Sequence, residues 1–245
     1  MQRRPNIAGA AVFTAFVAAA TMSLSASVAA TGGYFNIGEI MVYTAALLMG
    51  PYVGAFAGGV GSMLSDLALG FPQFAPGTLV IKGVEGYIVG RLGSLPLARL
   101  SLKQWRLISI AVGATVALIV ALVGTNYYTG EMTLSLGVPF LGQAIWGLNV
   151  TPEFWYGLSA LSLVLVIVAG FSVEQRVGWL ALSVLVGGAE MVAGYFLYER
   201  LILGQIAAFV EVPFNVAQVS IGLLVSIPLV RSVKRMLRRK SPAPG

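Results

Sequence analysis

Apolar residues fall into long blocks, and the breaks between them are short and rich in glycine, proline or charge. The first block runs from Ile7 to Ala30 behind Arg3 and Arg4. A basic start, an apolar run and Ser27-Val28-Ala29 imitate a signal peptide, but a signal's apolar region is about 7–15 residues and this one is longer. The pattern predicts a retained first helix, with Ala11, Ala15 and Ala19 at four-residue spacing on one face. Thr31 to Ile37 reads as a loop. Gly38 to Met49 then predicts a short helix, below the roughly 17 residues that cross a bilayer. Gly50-Pro51 ends it and starts the next, because glycine suits a helix end and proline a first turn. Pro51 to Leu69 carries Gly50, Gly54 and Gly58 in four-residue steps, a spacing that admits a neighbouring backbone.

After the Gly70–Gly77 turn, Thr78 to Leu95 predicts a helix with Lys82 and Glu85 on one face and Gly83, Gly86 and Gly90 along it. Leu107 to Val123, Leu158 to Phe171, Trp179 to Tyr198 and Glu211 to Val230 complete the spans, with a reversal at 199–210. Eight hydrophobic segments result, and the fold class is all-α. A long connection at 124–152 holds Tyr127, Tyr128 and Trp146 and no basic residue.

Composition confirms what the blocks suggest. The chain is 58% hydrophobic and 10% charged, with mean hydropathy +0.88, whereas a soluble domain carries about 25% charged residues. This is an integral membrane protein. It has no cysteine and no histidine, which removes disulfides, thiolate sites and the commonest general base and metal ligand. The net charge of +6 gathers at segment ends and in the tail, where six basic residues lie between Arg231 and Lys240. With the start of the chain cytoplasmic, Arg91, Arg99, Lys103 and Arg106, then Arg176, then the tail all fall inside. Both termini are therefore expected in the cytoplasm of a multi-pass protein of the cell membrane.

That topology sends one set of polar residues to the outer half of the membrane. Asn36, Glu39, Asp66 (the chain's single aspartate), Gln73, Lys82, Glu85 and Glu211 share that depth, and Asn215 and Gln218 enter from the same side on one helix face. Ionisable groups in lipid are costly and mark functional sites by default. Between helices such residues can line a pocket, with Tyr34, Phe71 and Phe74 as stacking surfaces. Blander roles stand beside this one. Lys82 and Glu85 suit a structural ion pair, Asp66 suits a helix end at the interface, and Glu190 suits either a proton-linked or a simply buried carboxyl. Nucleotide hydrolysis through a phosphate loop is excluded, because no G-x-x-x-x-G-K-[ST] is present. The absent histidine excludes H-E-x-x-H and Ser-His chemistry. No enzyme activity and no cofactor is indicated.

The run G-E-I-M-V-Y-T-A-A-L-L-M-G-P-Y-V-G-A-F-A-G-G-V-G-S-M-L-S-D-L, followed by F-P-Q-F-A-P-G-T-L-V-I-K-G-V-E-G, resembles the substrate-binding S component of energy-coupling factor (ECF) transporters, riboflavin-type subgroup. Gly194 to Glu199 and Glu211 to Gln218 resemble its C-terminal pattern. The likeness covers roughly 1–95 and 178–231. It implies a six-helix core, a pocket opening outward, a vitamin ligand, and two kinds of partner: a membrane T component and a pair of cytoplasmic ATPases. It further implies that the Ala11, Ala15 and Ala19 face docks the T component, and that the subunit topples during transport. Residues 96–177 depart from the pattern as an inserted helical pair with an outer loop, and 232–245 form a basic tail. The expected ligand contacts are Tyr34, Asn36, Glu39, Asp66, Phe74, Lys82, Glu85, Asn215 and Gln218, with riboflavin the first choice among small water-soluble vitamins or precursors. Two other classes fit the residues: a self-contained proton-driven transporter using Glu190 or Glu85, and a structural subunit of a membrane complex.

Overall fold

The computed structural model describes residues 7–28, 33–95, 101–127, 129–138, 142–172 and 174–239. Arg3, Arg4, Ala29, Ala30, Arg99, Tyr128 and Lys240 lie outside the described residues. Eight α-helices and two antiparallel hairpins make up the described chain. Five helices are long and apolar enough to cross a membrane, and Ile7–Ser23 and Glu39–Met49 are shorter apolar helices. The protein is a multi-pass membrane protein. By contact it divides into two compact units, one of residues 1–96 and 179–245 and the other of 97–178.

In the first unit, α1 (Ile7–Ser23) stops seven residues before the apolar run does. Instead of one helix to Ala30, β1 (Ser25–Val28) pairs antiparallel with β2 (Gly33–Asn36), Ser27 opposite Tyr34. The reason lies in local preference: Ser25 and Ser27 alternate with apolar residues, and Tyr34-Phe35 are strong strand formers. The expected loop at 31–37 is thus half strand.

Helix α2 (Glu39–Met49) spans only about 16 Å at 1.5 Å per residue. Gly50, at φ 92°, turns the chain into α3 (Pro51–Leu69), a positive φ that glycine takes without a side-chain clash. Helix α4 (Ala75–Gly93) returns against α3 in the closest packing of the unit. A Cβ on Gly54 would lie 2.7 Å from the Gly86 carbonyl oxygen, and one on Gly58 2.8 Å from that of Lys82. The glycine spacing therefore brings backbone against backbone. On the α1 side, a Cβ on Gly61 would meet Val17 at 2.8 Å.

Helix α7 (Gln175–Leu197) continues into a π-helical turn at Tyr198–Ile202, and a 3₁₀ turn at Ile206–Val210 leads into α8 (Glu211–Arg239). These two turns are the reversal expected at 199–210. Helix α8 runs on through the expected tail as far as Arg239, and the Lys234 ammonium donates to the Leu47 carbonyl at the end of α2, 2.9 Å. A cation there complements the unpaired carbonyls of a helix C-terminus.

In the second unit, α5 (Leu102–Tyr127) and α6 (Pro152–Ser172) pack antiparallel. The Trp105 indole donates to the Gly170 carbonyl at 2.7 Å, and the Ser159 hydroxyl to the Ala117 carbonyl at 2.7 Å. Between these helices, the connection expected as a loop is a hairpin, β3 (Gly130–Val138) paired with β4 (Gly142–Val150). Its alternating Thr133, Leu134, Ser135 and Leu136 show the two-residue period of a strand.

Candidate functional site

Helical spacing assembles the site in the first unit. On α4, Thr78, Lys82 and Glu85 share a face; on α3, Ser62 and Asp66; on α2, Glu39 and Tyr43; on α8, Glu211, Asn215 and Gln218. All ten are buried. Seven of them line one cavity, completed by Tyr34 and Asn36 of β2, Phe74 before α4, Thr21 of α1 and Tyr195 of α7, while Glu39, Tyr43 and Glu85 pack behind Lys82. The space left for centres of water-sized spheres is ≈ 30 Å³, enough for about two or three waters. A vitamin would need the surrounding elements to part.

The wall at Asp66 is built by hydroxyls. The Tyr34 hydroxyl donates to Asp66 Oδ1 at 2.6 Å, and its ring stacks on Phe71 with centroids 4.6 Å apart. Burial, and then the Asp66 carboxylate, hold the Tyr34 phenol well above its usual pKa, so it stays a donor. The Tyr195 hydroxyl donates to Thr78 Oγ1 at 2.9 Å, and Thr78 is itself directed toward the Asp66 carboxyl.

The floor is an ion cluster. The Lys82 ammonium is 4% exposed and donates to Glu39 Oε1 and, at 3.2 Å, to Glu85 Oε2. The Tyr43 hydroxyl donates to Glu85 Oε1 at 2.7 Å, and the Tyr195 ring lies 5.5 Å from the Lys82 nitrogen. Gly222 of α8 makes this burial possible, since a Cβ there would lie 2.7 Å from that of Glu39. Glu190 is half-buried near Lys82 and Glu85.

Of the nine residues expected to contact ligand, Tyr34, Asn36, Asp66, Phe74, Lys82, Asn215 and Gln218 line the cavity. Glu39 and Glu85 stand behind it, holding Lys82. Asn36 has its side-chain oxygen committed to the Gly38 amide at 2.8 Å, and Gln218 donates to Asn215 Oδ1 at 2.9 Å. Phe71 reaches the site through its stack on Tyr34. Thr21, Ser62, Thr78 and Tyr195 also line it without having been picked out. Tyr195 carried a signal, standing in an aromatic run, Tyr195-Phe196-Leu197-Tyr198, that opens toward the same side as Glu211. Ala11, Ala15 and Ala19 lie far from the cavity residues in role, all three on the exposed face of α1 opposite buried Val17 and Thr21.

A helical membrane protein with a small polar cavity lined in part by aromatic rings has the form of a binding subunit for a small polar molecule. Residues 4–137, more than half of the chain, match the family described as ECF-type riboflavin transporter, S component. The chain belongs to that family. A 74-residue stretch is also 53% identical to a protein of Pyrococcus woesei described as "Uncharacterized protein in gap 3'region", over 30% of this chain and 49% of that protein. The chain thus spans about half the length of that curated relative.

Proposed function

We propose that the chain is a substrate-binding subunit that captures a small water-soluble vitamin or precursor from outside the cell, riboflavin first among the candidates. The observation that carries this reading is the convergence of Asp66, Lys82, Asn215 and Gln218, from three helices, on one buried cavity in a chain of this family. Capture is non-covalent. The Tyr34–Phe71 stack offers an aromatic surface, and Asp66, Asn215, Gln218 and Asn36 offer hydrogen bonds to a polar ligand. Lys82 stands at the edge of the floor with its charge already balanced by Glu39 and Glu85. Because the cavity as it stands holds only a few waters, entry requires the β1–β2 hairpin or the α3–α4 turn, which carry Tyr34 and Phe71, to move outward.

Energy comes from other chains in this reading. A T component docks on the exposed Ala11, Ala15 and Ala19 face of α1, where small side chains let a partner helix approach, and a pair of cytoplasmic ATPases drives the cycle. Both termini lie in the cytoplasm, on the strength of the basic residues at 91–106, 176 and 231–240. The test is reconstitution in proteoliposomes. The chain alone binds vitamin and moves none, and uptake appears when T component, ATPases and ATP are added. Uptake by the chain alone under a pH gradient would overturn the reading in favour of a proton-driven transporter.

A further inference from the structure

Two carboxyls meet where the chain turns back from α7 into α8. Glu199 sits in the π-helical turn, a rare form of helix that is frequent at functional sites. Backbone bonds fix the turn: the Leu203 amide donates to the Tyr198 carbonyl at 3.1 Å, and the Gln205 amide to the Glu199 carbonyl at 2.9 Å. Tyr198 reaches the start of α4, where its hydroxyl donates to the Gln73 carbonyl at 2.8 Å and its ring lies against Gly77. Glu199, the next residue, is 0% exposed, and neither of its carboxyl oxygens meets a hydrogen-bond donor. The charged group that bears on it is a second acid, Glu211 of α8, itself buried. The β2 backbone closes over Glu211, so near that a Cβ on Gly33 would overlap Glu211 Oε1. The other ionisable groups of the neighbouring elements are committed elsewhere or exposed. Tyr34 of β2 donates to Asp66, Tyr195 of α7 to Thr78, Lys82 of α4 is held by Glu39 and Glu85, and Arg200 is exposed. The 3₁₀ turn Ile206–Val210 carries no charged side chain. Among the described residues no basic group pairs with Glu199.

Two carboxylates buried side by side without a cation repel each other, and each loses its hydration. One proton removes both difficulties, because a protonated carboxyl donates a strong, charge-assisted hydrogen bond to its neighbour. We infer that Glu199 and Glu211 form a proton-binding site that closes the α7–α8 reversal, with Glu199 holding a proton at neutral pH and donating it to Glu211. The site borders the cavity, which Glu211 lines, but its ligand is the proton, and it stands independently of the vitamin reading. Its consequence is a dependence of stability on pH. Glutamates of the unfolded chain titrate at about 4.3 and hold no such proton at neutral pH. The folded chain therefore binds one proton more, so its stability falls as pH rises above that value. The loss is about tenfold in the folding equilibrium per pH unit until the proton leaves.

The experiment follows thermal unfolding of the purified full-length chain between about pH 5 and 8, wild type beside Glu199→Gln. The glutamine amide supplies a donor that needs no proton. The variant's midpoint therefore gains on the wild type by about 3–5 °C for each pH unit, while titrations elsewhere cancel in the difference. Glu211→Gln, which puts the amide donor on the other side of the pair, shows the same trend and serves if Glu199→Gln does not fold. Infrared absorption gives a second readout: the wild type at neutral pH shows a protonated-carboxyl band that Glu199→Gln lacks. A midpoint difference that is flat in pH, or a band that survives Glu199→Gln unchanged, overturns the inference. So does a midpoint raised by calcium chloride or sodium chloride, at constant ionic strength, in the wild type and not in Glu199→Gln, since the pair would then hold a metal cation in place of the proton.

Discussion

Replacing Lys82 by methionine keeps most of the unbranched side chain and deletes its charge. Two carboxylates, Glu39 at 1% exposure and Glu85 at 0%, then stay buried with no cation between them. Removing one partner of a buried pair costs about 3–5 kcal/mol, since the remaining charge keeps its desolvation penalty and loses its compensation. For a chain of this size each kcal/mol lowers the melting midpoint by about 2–4 °C, so Lys82→Met falls by about 6–20 °C. Adding Glu39→Gln and Glu85→Gln to Lys82→Met removes the stranded charges and recovers most of the loss, because neutral replacements of a buried ionic cluster are often no less stable. Thermal unfolding of the detergent-solubilised full chain, followed by intrinsic fluorescence, reads both effects. A Lys82→Met midpoint at the wild-type value, or a triple variant no more stable than the single one, would refute the reading of Lys82 as the brace of the floor. Vitamin affinity measured in the triple variant then separates any ligand contact of Lys82 from its structural role.

The remaining predictions concern the wall, the helix packing and the partner face. Phe71→Ala removes the ring stacked on Tyr34 and weakens flavin affinity about 3–10-fold, read by fluorescence titration; unchanged affinity would take this stack out of the site. Gly58→Leu forces side-chain atoms into a backbone approach where even a Cβ lies 2.8 Å from the Lys82 carbonyl, and costs about 1–3 kcal/mol in thermal unfolding. Gly83→Ala has the opposite sign: its Cβ meets nothing nearer than 3.6 Å, and the helix gains about 0.5–1 kcal/mol. Ala15→Leu on the exposed face of α1 leaves melting midpoint and vitamin affinity at wild-type values and abolishes co-purification with a T component.

How much of this was legible beforehand differs from element to element. The steps from Glu39 to Tyr43, Ser62 to Asp66, Lys82 to Glu85 and Glu211 to Asn215 are helical steps, and charge asymmetry set their common depth. That was enough to gather most of the cavity lining from residues far apart in the chain. The glycine repeats likewise announced the α3–α4 contact, because only a missing side chain allows such an approach. Sequence reasoning failed where apolar character is shared by two conformations. Ser25-Ala26-Ser27-Val28 continues an apolar block, and only the strand it pairs with, five residues on, decides against a helix. The same holds for the hairpin of β3 and β4. Thr21 and Tyr195 escaped notice for another reason. A hydroxyl inside an apolar helix usually turns back on its own backbone, as Thr21 does to Val17, and nothing in the pattern shows which hydroxyls also face a cavity. The separation of Glu39 and Glu85 from the lining is a matter of which atom Lys82 reaches first, and spacing alone carries no such information.

The account rests on a ligand occupying the cavity lined by β2, α3, α4 and α8, and direct titration tests that most sharply. Riboflavin is added to the purified full-length chain in detergent, and flavin fluorescence is followed, since stacking on Tyr34 and Phe71 quenches it. Saturable quenching at one flavin per chain, weakened by Phe71→Ala and lost when Asp66 and Gln218 are both replaced by leucine, is the predicted result. Absence of saturable binding by riboflavin, pyridoxine and thiamine alike, or binding that these cavity substitutions leave untouched, would contradict it.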